Sequence, residues 1–271
     1  MRTTVALTPS PPFHFAGTAY SHGWAVLAPN AWDPERGVLE RTLRLPSGQV
    51  VHLHISGTGS ASQPGVAVAI DHADALAPSE QEAACDAVAH MLRLDEDFSE
   101  FYALCERRGE PWVSLTSGLG RLLRSPTVFE DVVKTICTTN VQWGGTKRMV
   151  RALVDAFGEP HPSAPERRAF PTPEAIAAVP ADAFASRVNL GYRAPYVHEL
   201  ARRIAEGAVH LEAWLDTDLP TPTLKKELLA LKGVGPYAAA TLLMLLGRYD
   251  ELPVDSVFRQ FVGDTYFDGT Y

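Results

Sequence analysis

Two groups in this 271-residue chain could do chemistry together: a lone carboxylate, Asp255, and a glycine turn that ends twenty residues before it. The turn reads Leu231-Lys232-Gly233-Val234-Gly235-Pro236-Tyr237-Ala238-Ala239, and the aspartate follows Leu252-Pro253-Val254. Glycines permit backbone angles that a Cβ forbids, so successive amides can converge on one anion. Pro236 suits the first turn of a helix, where its missing N–H costs little. That helix would aim its positive dipole end at the same anion, with Lys232 as a nearby cation. Such a device grips a nucleic-acid backbone without reading its sequence. A plain turn between two helices, with glycine as the C-cap, explains the glycines alone equally well. Asp255 likewise has two readings. It can cap a helix opening at Ser256, or it can stabilise positive charge at a reacting carbon and orient water there.

The elements that must position these groups are legible from periodicity. Val38 to Leu45 and Gln49 to Ile55 roughly alternate around Pro46-Ser47-Gly48, which predicts a β-hairpin. Gly57 to Pro64 is expected to be a loop, Val66 to Ile70 a strand, and Phe13, Phe15 and Trp24 core aromatics. After Ser79 the period becomes helical. Ser79/Glu82 and Thr127/Glu130 have capping-box spacing. Helices are expected over 83–92, 98–105, 127–140 and 146–157, the last stopped by Gly158 as a left-handed C-cap. Residues 158–173, rich in proline, read as an exposed connection. Shorter helices follow over 173–178, 181–188, 194–206, 223–231 and 236–246. Strands followed by helices predict an α+β fold: a small antiparallel β-sheet domain over 1–92, ending in a helix, then a helical domain over 93–271.

Composition narrows the class. No run of apolar residues is long enough for a membrane span, and the N-terminus lacks a signal-peptide core. Cys85, Cys105 and Cys137 have no metal-ligand spacing and suggest no disulfide framework, which points to a reducing cytoplasm. Three thiolates cannot hold a four-cysteine iron–sulfur cluster. The net charge of −8 argues against a nucleic-acid partner. Its distribution weakens that objection: acids crowd 71–100, while Arg121, Arg124, Lys134, Lys147, Arg148 and Arg151 crowd the next stretch.

Three ordered segments carry a family resemblance. The glycine turn with Leu252-Pro253-Val254-Asp255 resembles the hairpin and aspartate loop of the helix–hairpin–helix (HhH-GPD) DNA glycosylase superfamily. Arg121-Leu122-Leu123-Arg124-Ser125-Pro126, leading to Ile136-Cys137-Thr138-Thr139-Asn140, resembles its 8-oxoguanine branch, as does Leu190-Gly191-Tyr192-Arg193-Ala194-Pro195-Tyr196-Val197. The strand-rich start resembles the small sheet domain of that branch and of 3-methyladenine DNA glycosylase II.

The resemblance implies an enzyme of base excision repair. Its partner would be double-stranded DNA carrying a damaged base, bound by a monomer with no membrane involved. The target base must leave the stack before its sugar is attacked. Asp255 holds the place of the catalytic aspartate, and Lys232, Gly233, Val234 and Gly235 that of the phosphate grip. Asn140 would contact the orphaned opposite base, Tyr192 would wedge beside it, and Arg193 would read the orphan or hold a phosphate. Without the flanking matches, Asn140 as a helix cap and Tyr192 as a loop aromatic would suffice. Tyr237 stands where bifunctional relatives carry a Schiff-base lysine. A phenol with a pKa of about 10 is a poor nucleophile, so water is the expected nucleophile and an abasic site the product. Tyr237 either lines the base pocket or packs in its helix. Gln142 and Trp143 stand where they can approach the base, and an indole face attracts an electron-poor alkylated purine; core burial is the alternative for Trp143. Gly144-Gly145 replaces bulkier residues of the 8-oxoguanine branch, which removes the basis for a strict opposite-cytosine preference. No cofactor is required on this reading. Carbonyls of the hairpin could hold Na⁺ or K⁺, although no residue demands it, and no metal-ligating residue is singled out. Because the sequence ends at Tyr271, Phe258, Phe261 and Tyr266 are expected to lack the cover that further helices give in relatives. The leading expectation is a monofunctional glycosylase for damaged, chiefly alkylated, purines. An oxidised-purine glycosylase and a non-catalytic damage-binding protein are the competing readings.

Overall fold

A computed structural model describes residues 1–267 and 269; Phe261 and Tyr266 are exposed, as expected, while Phe258 is half-buried. The N-terminal part is a five-stranded antiparallel sheet in the order β1-β5-β4-β3-β2. Its strands are β1 (Arg2–Leu7), β2 (Asn30–Asp33), β3 (Val38–Arg44), β4 (Val50–Ser60) and β5 (Gln63–Asp71). The predicted hairpin forms with Leu43 opposite Val51. Alternation sets one apolar face inward: Leu39, Leu43, Val51, Leu53, Ile55, Val66, Val68 and Ile70 are all buried. Phe13, Phe15 and Trp24 join this core. A short helix, α1 (Phe15–Ala19), covers β4.

The expected loop at Gly57–Pro64 is instead strand, with Gly59 opposite Pro64 and Ser60 opposite Gln63. Its glycines answer to close packing: a Cβ at Gly57 would lie 2.5 Å from that of Phe15.

The helical part comprises α2 (Pro78–Met91), α3 (Ser99–Arg108), α4 (Val128–Thr138), α5 (Trp143–Phe157), α6 (Pro173–Ala177), α7 (Ala181–Arg187), α8 (Ala194–Ala205), α9 (Thr221–Leu229), α10 (Pro236–Leu245) and α11 (Ser256–Tyr266). α2 starts earlier than the Ser79/Glu82 spacing suggests, because Pro78 fixes the first turn and Glu80 accepts from the Ala77 N–H at 3.0 Å. At α4 only half of a capping box forms. The Thr127 hydroxyl accepts from the Glu130 N–H at 3.2 Å, while the Glu130 carboxylate turns inward. Gly158 is not left-handed. Its φ is −69°, and a Cβ there would meet the Ala169 and Val154 carbonyls at 2.2 and 2.5 Å. The stretch after it forms a hairpin, β6 (Pro160–His161) with β7 (Ala164–Arg168), laid against β3 and β4.

Buried charge joins sheet to helices. Arg41 of β3 makes a bidentate pair with Glu130 of α4 at 2.6 and 3.0 Å. Lys134, fully buried, pairs with the same carboxylate at 2.7 Å and donates to the Ser125 hydroxyl. Asp131 accepts from the Trp24 indole at 2.7 Å. Burial works to raise the Glu130 pKa, but the charges of Arg41 and Lys134 and their hydrogen bonds prevail and leave it at about 2. Asp131, dominated by burial, is pushed up to about 6. Arg121 and Arg124 are buried as well, and Arg121 stacks 4.2 Å from the Phe98 ring centre. Half of the basic cluster seen in the sequence is therefore structural, which leaves Lys147, Arg148 and Arg151 as its exposed members.

Candidate active site

The hairpin is built as its glycines suggest, but they divide the work. Gly233 has φ +88°, a left-handed angle, and a Cβ on it would lie 2.9 Å from a ring carbon of Tyr196 on α8. Gly235 is extended, at φ −95°, and caps α10; a Cβ there would meet open space. Its lack of a side chain therefore matters for what approaches from outside. Val234 is buried and its N–H is spent on the Leu231 carbonyl at 3.1 Å, so it offers the groove no free amide. The N–H groups of Gly233 and Gly235 have no protein acceptor among the described residues, and the first turn of α10 leaves its own amides free. Lys232 does not stand free: it pairs with Glu199 at 2.6 Å on an exposed surface.

Facing the hairpin is the end of α4. Its C-cap is Thr139, and Asn140 adopts φ +48°, an angle that asparagine tolerates better than most residues. The Asn140 amide donates to the Tyr192 hydroxyl at 3.3 Å. Tyr192 sits on a single 3-10 turn, Gly191–Arg193, with half its surface exposed. Hydrogen bonding at Thr139 and then Asn140 draws its phenol below the ordinary range. Arg193 differs from expectation. It is buried, donates to the Thr139 carbonyl, and lays its guanidinium 4.4 Å from the Tyr192 ring centre. It braces Tyr192 against α4.

Asp255 is the N-cap of α11: its Oδ1 accepts the Phe258 N–H at 2.7 Å, as the capping reading required. Oδ2 has no partner among the described residues. The same residue lines a groove of about 740 Å³. Also lining it are Asn140 and Tyr192 on one wall, Gly233 to Ala238 on another, and Val254 and Ser256 beside the carboxylate. Tyr237 lines this groove as well, half-buried, directly after the hairpin. A half-free carboxylate, an aromatic wall and a turn with open amides suit a polyanion whose sugar carbon becomes positive during reaction.

Gln142 and Trp143 stand outside the lining. Trp143 opens α5 and packs on Gly23, where a Cβ would lie 2.2 Å from the indole ring. Tyr196 belongs to the groove but received no role from the sequence. The signal was its spacing four residues after Tyr192, and the two rings meet at 6.1 Å, nearly edge to face.

The sequence pattern of the "HhH-GPD superfamily base excision DNA repair protein" matches residues 133–270, just over half of the chain and all of this groove. The chain belongs to this superfamily. Solved structures agree on the fold of this HhH-GPD protein. The 3-methyladenine DNA glycosylase of Archaeoglobus fulgidus superposes with a TM-score of 0.74 at 21% identity, covering 98% of this chain and 88% of its own. The 8-oxoguanine glycosylase/lyase of Clostridium acetobutylicum in its apo form gives 0.70 at 19% identity, covering 98% and 86%. Its complex with duplex DNA holding cytosine opposite 8-oxoguanine gives 0.69 at 18% identity, covering 99% and 87%. No helix among the described residues is long and apolar enough to cross a membrane.

Proposed function

We propose that this HhH-GPD protein is a monofunctional DNA glycosylase that flips a damaged purine out of duplex DNA and hydrolyses its N-glycosidic bond. The observation that carries the reading is the composition of the groove. Asp255 and Tyr237 share it with the hairpin, and among the described residues no lysine lines it. Lys232, the nearest in sequence, is exposed beyond the turn and paired with Glu199. The hairpin amides take a phosphate, for which the exposed Lys232–Glu199 pair, worth at most about 1 kcal/mol, is a weak competitor. Tyr192, braced by Arg193 and bonded to Asn140, fills the space that the base vacates. Oδ2 of Asp255 faces the anomeric carbon, stabilises positive charge there as the C1′–N bond breaks, and directs a water to it.

Alkylated purines come first on this reading. Tyr196 and Tyr237 give the groove electron-rich rings, which favour a base carrying positive charge. Both glycosylase types among the similar folds act on purines, so oxidised purine is the alternative that the assay must include. A monovalent cation is compatible with the turn. The Gly233 and Val234 carbonyls accept from no protein donor among the described residues, and such oxygens suit a hard cation beside the phosphate.

Duplexes carrying methylated, deaminated or oxidised bases, incubated with the protein and split with and without alkali, test the proposal. Scission of a methylated-purine duplex only after alkali is expected, with no covalent adduct trapped by borohydride. Scission before alkali with a trapped adduct would overturn the monofunctional assignment. Binding with no scission on any duplex would favour a damage-binding protein.

A further inference from the structure

The outer face of the N-terminal sheet, opposite the core, carries a cluster that the proposed glycosylase chemistry does not use. Glu40 of β3 lies across from His54 of β4, and His52 is two residues earlier on the same strand, so all three side chains share one face. Oε2 of Glu40 is 3.4 Å from Nε2 of His52, and Oε1 is 3.3 Å from Nδ1 of His54. One ligand atom from each residue lies within 4.8 Å of the others.

These contacts are not hydrogen bonds. Nε2 of His52 and Nδ1 of His54 are both buried atoms with no hydrogen-bond partner, and His52 is only 5% exposed. Buried polar atoms in native proteins are nearly always satisfied, so two facing orphans beside a carboxylate call for an occupant. The remaining ring nitrogens are held from behind. Nδ1 of His52 is 3.0 Å from the Thr42 hydroxyl, and Nε2 of His54 is 3.0 Å from Oδ2 of Asp71. A hydroxyl or carboxylate on the far nitrogen is how metal-binding histidines are fixed in tautomer and orientation. Asp71 is itself committed to Arg2 at 2.6 and 2.8 Å, so it orients rather than ligates.

We propose that Glu40, His52 and His54 form a site for one divalent transition metal of the zinc type. Two imidazoles and a carboxylate match zinc's ligand preference and leave a fourth position for water. Bonds of about 2.0–2.1 Å in a tetrahedron put ligand atoms about 3.3 Å apart. Each Glu40 oxygen is already about that far from one imidazole nitrogen. A small rotation of the carboxylate would bring one oxygen and both nitrogens, now within 4.8 Å, onto one ion. Arg36, whose guanidinium is 3.6 Å from Oε1 of Glu40 in an exposed pair, competes only weakly for the carboxylate. The metal would pin β3 to β4 beside β5.

Dialysis of the full chain against Zn²⁺, followed by metal analysis, tests this, with Co²⁺ absorption reporting coordination. The wild-type protein is expected to retain one equivalent, and Co²⁺ to show the strong visible bands of a four-coordinate N/O site. His54→Ala and Glu40→Gln should abolish retention, while His210→Ala, at an exposed histidine elsewhere, should retain it. Asp71→Asn should weaken binding about 10–100-fold. Should His52→Ala fail to fold, His54→Ala and the near-isosteric Glu40→Gln still decide. No retained zinc in the wild type, or undiminished retention in both of those variants, would overturn the proposal.

Discussion

The Asp255 side chain caps α11 with one oxygen and offers the other to the groove, and two substitutions separate these roles. Asparagine keeps an oxygen for the Phe258 N–H, so Asp255→Asn should melt within a degree or two of wild type yet lose most excision. Asp255→Ala should lose excision and also about 1 kcal/mol of stability through the missing cap, measured by urea unfolding. At Tyr192 the exposed ring touches little besides Thr139, Asn140, Arg193 and Tyr196. Tyr192→Ala should therefore leave the melting temperature unchanged and reduce the DNA distortion reported by a 2-aminopurine placed beside the lesion. At this scale much is legible in the sequence. Gly233, Gly235 and Asp255 stand out by type and spacing, Asn140, Tyr192 and Tyr237 only through the family resemblance, and all line one groove. Arg193, Gln142 and Trp143 stand outside that lining, because motif position does not say which way a side chain turns. His52 and His54, two apart on a strand, have the right period for a shared face, but their third member comes from a different strand.

Elements are legible where their signals are local. The hairpin of β3 and β4 and the helices α8 to α10 follow periodicity, proline and glycine closely. Glycine misleads where it reads as a loop or as a left-handed cap, although α5 does end at Gly158 as its spacing suggests. Gly57, Gly59 and Gly158 lie where a side chain would strike a neighbouring residue, and only tertiary packing reveals that. Nor does Thr127/Glu130 spacing show that Glu130 abandons its cap for Arg41. That pairing sets α4, and with it Asn140, relative to the sheet. Glu130→Gln would strand Arg41 and Lys134 in the interior and should cost about 3–5 kcal/mol in denaturant unfolding. The pH dependence has a definite sign. Glu130 has a folded pKa of about 2 against an ordinary value of 4.5, so its contribution is complete above 4.5 and is lost as pH falls towards 2. Asp131, raised to about 6 from 3.8, acts oppositely: its contribution is present below 3.8 and is lost as pH rises through 6. Asp131→Asn should remove that second decline from a stability profile between pH 4 and 7.

The molecule as a whole is acidic, yet its groove suits a polyanion. Burial sharpens this contrast, since Arg41, Arg121, Arg124 and Lys134 are consumed inside and cannot serve DNA. Few exposed cations lie close in sequence to the groove lining: Lys147, Arg148 and Arg151 on α5, with Lys232 and Arg259. Binding to undamaged duplex should therefore show a shallow salt dependence. Lys147→Ala with Arg148→Ala should flatten it further, by about 0.9 in logarithmic slope for each phosphate no longer neutralised. Net charge understates the contrast, because it counts the buried cations with the exposed ones. The central claim, that Asp255 directs water to the sugar, is tested most directly by single-turnover excision from a methylated-purine duplex at saturating protein. Wild type should release the base and leave an intact, alkali-labile strand, and Asp255→Asn should bind the duplex equally but release the base at least about 100-fold more slowly. Release at the wild-type rate by Asp255→Asn would contradict the account.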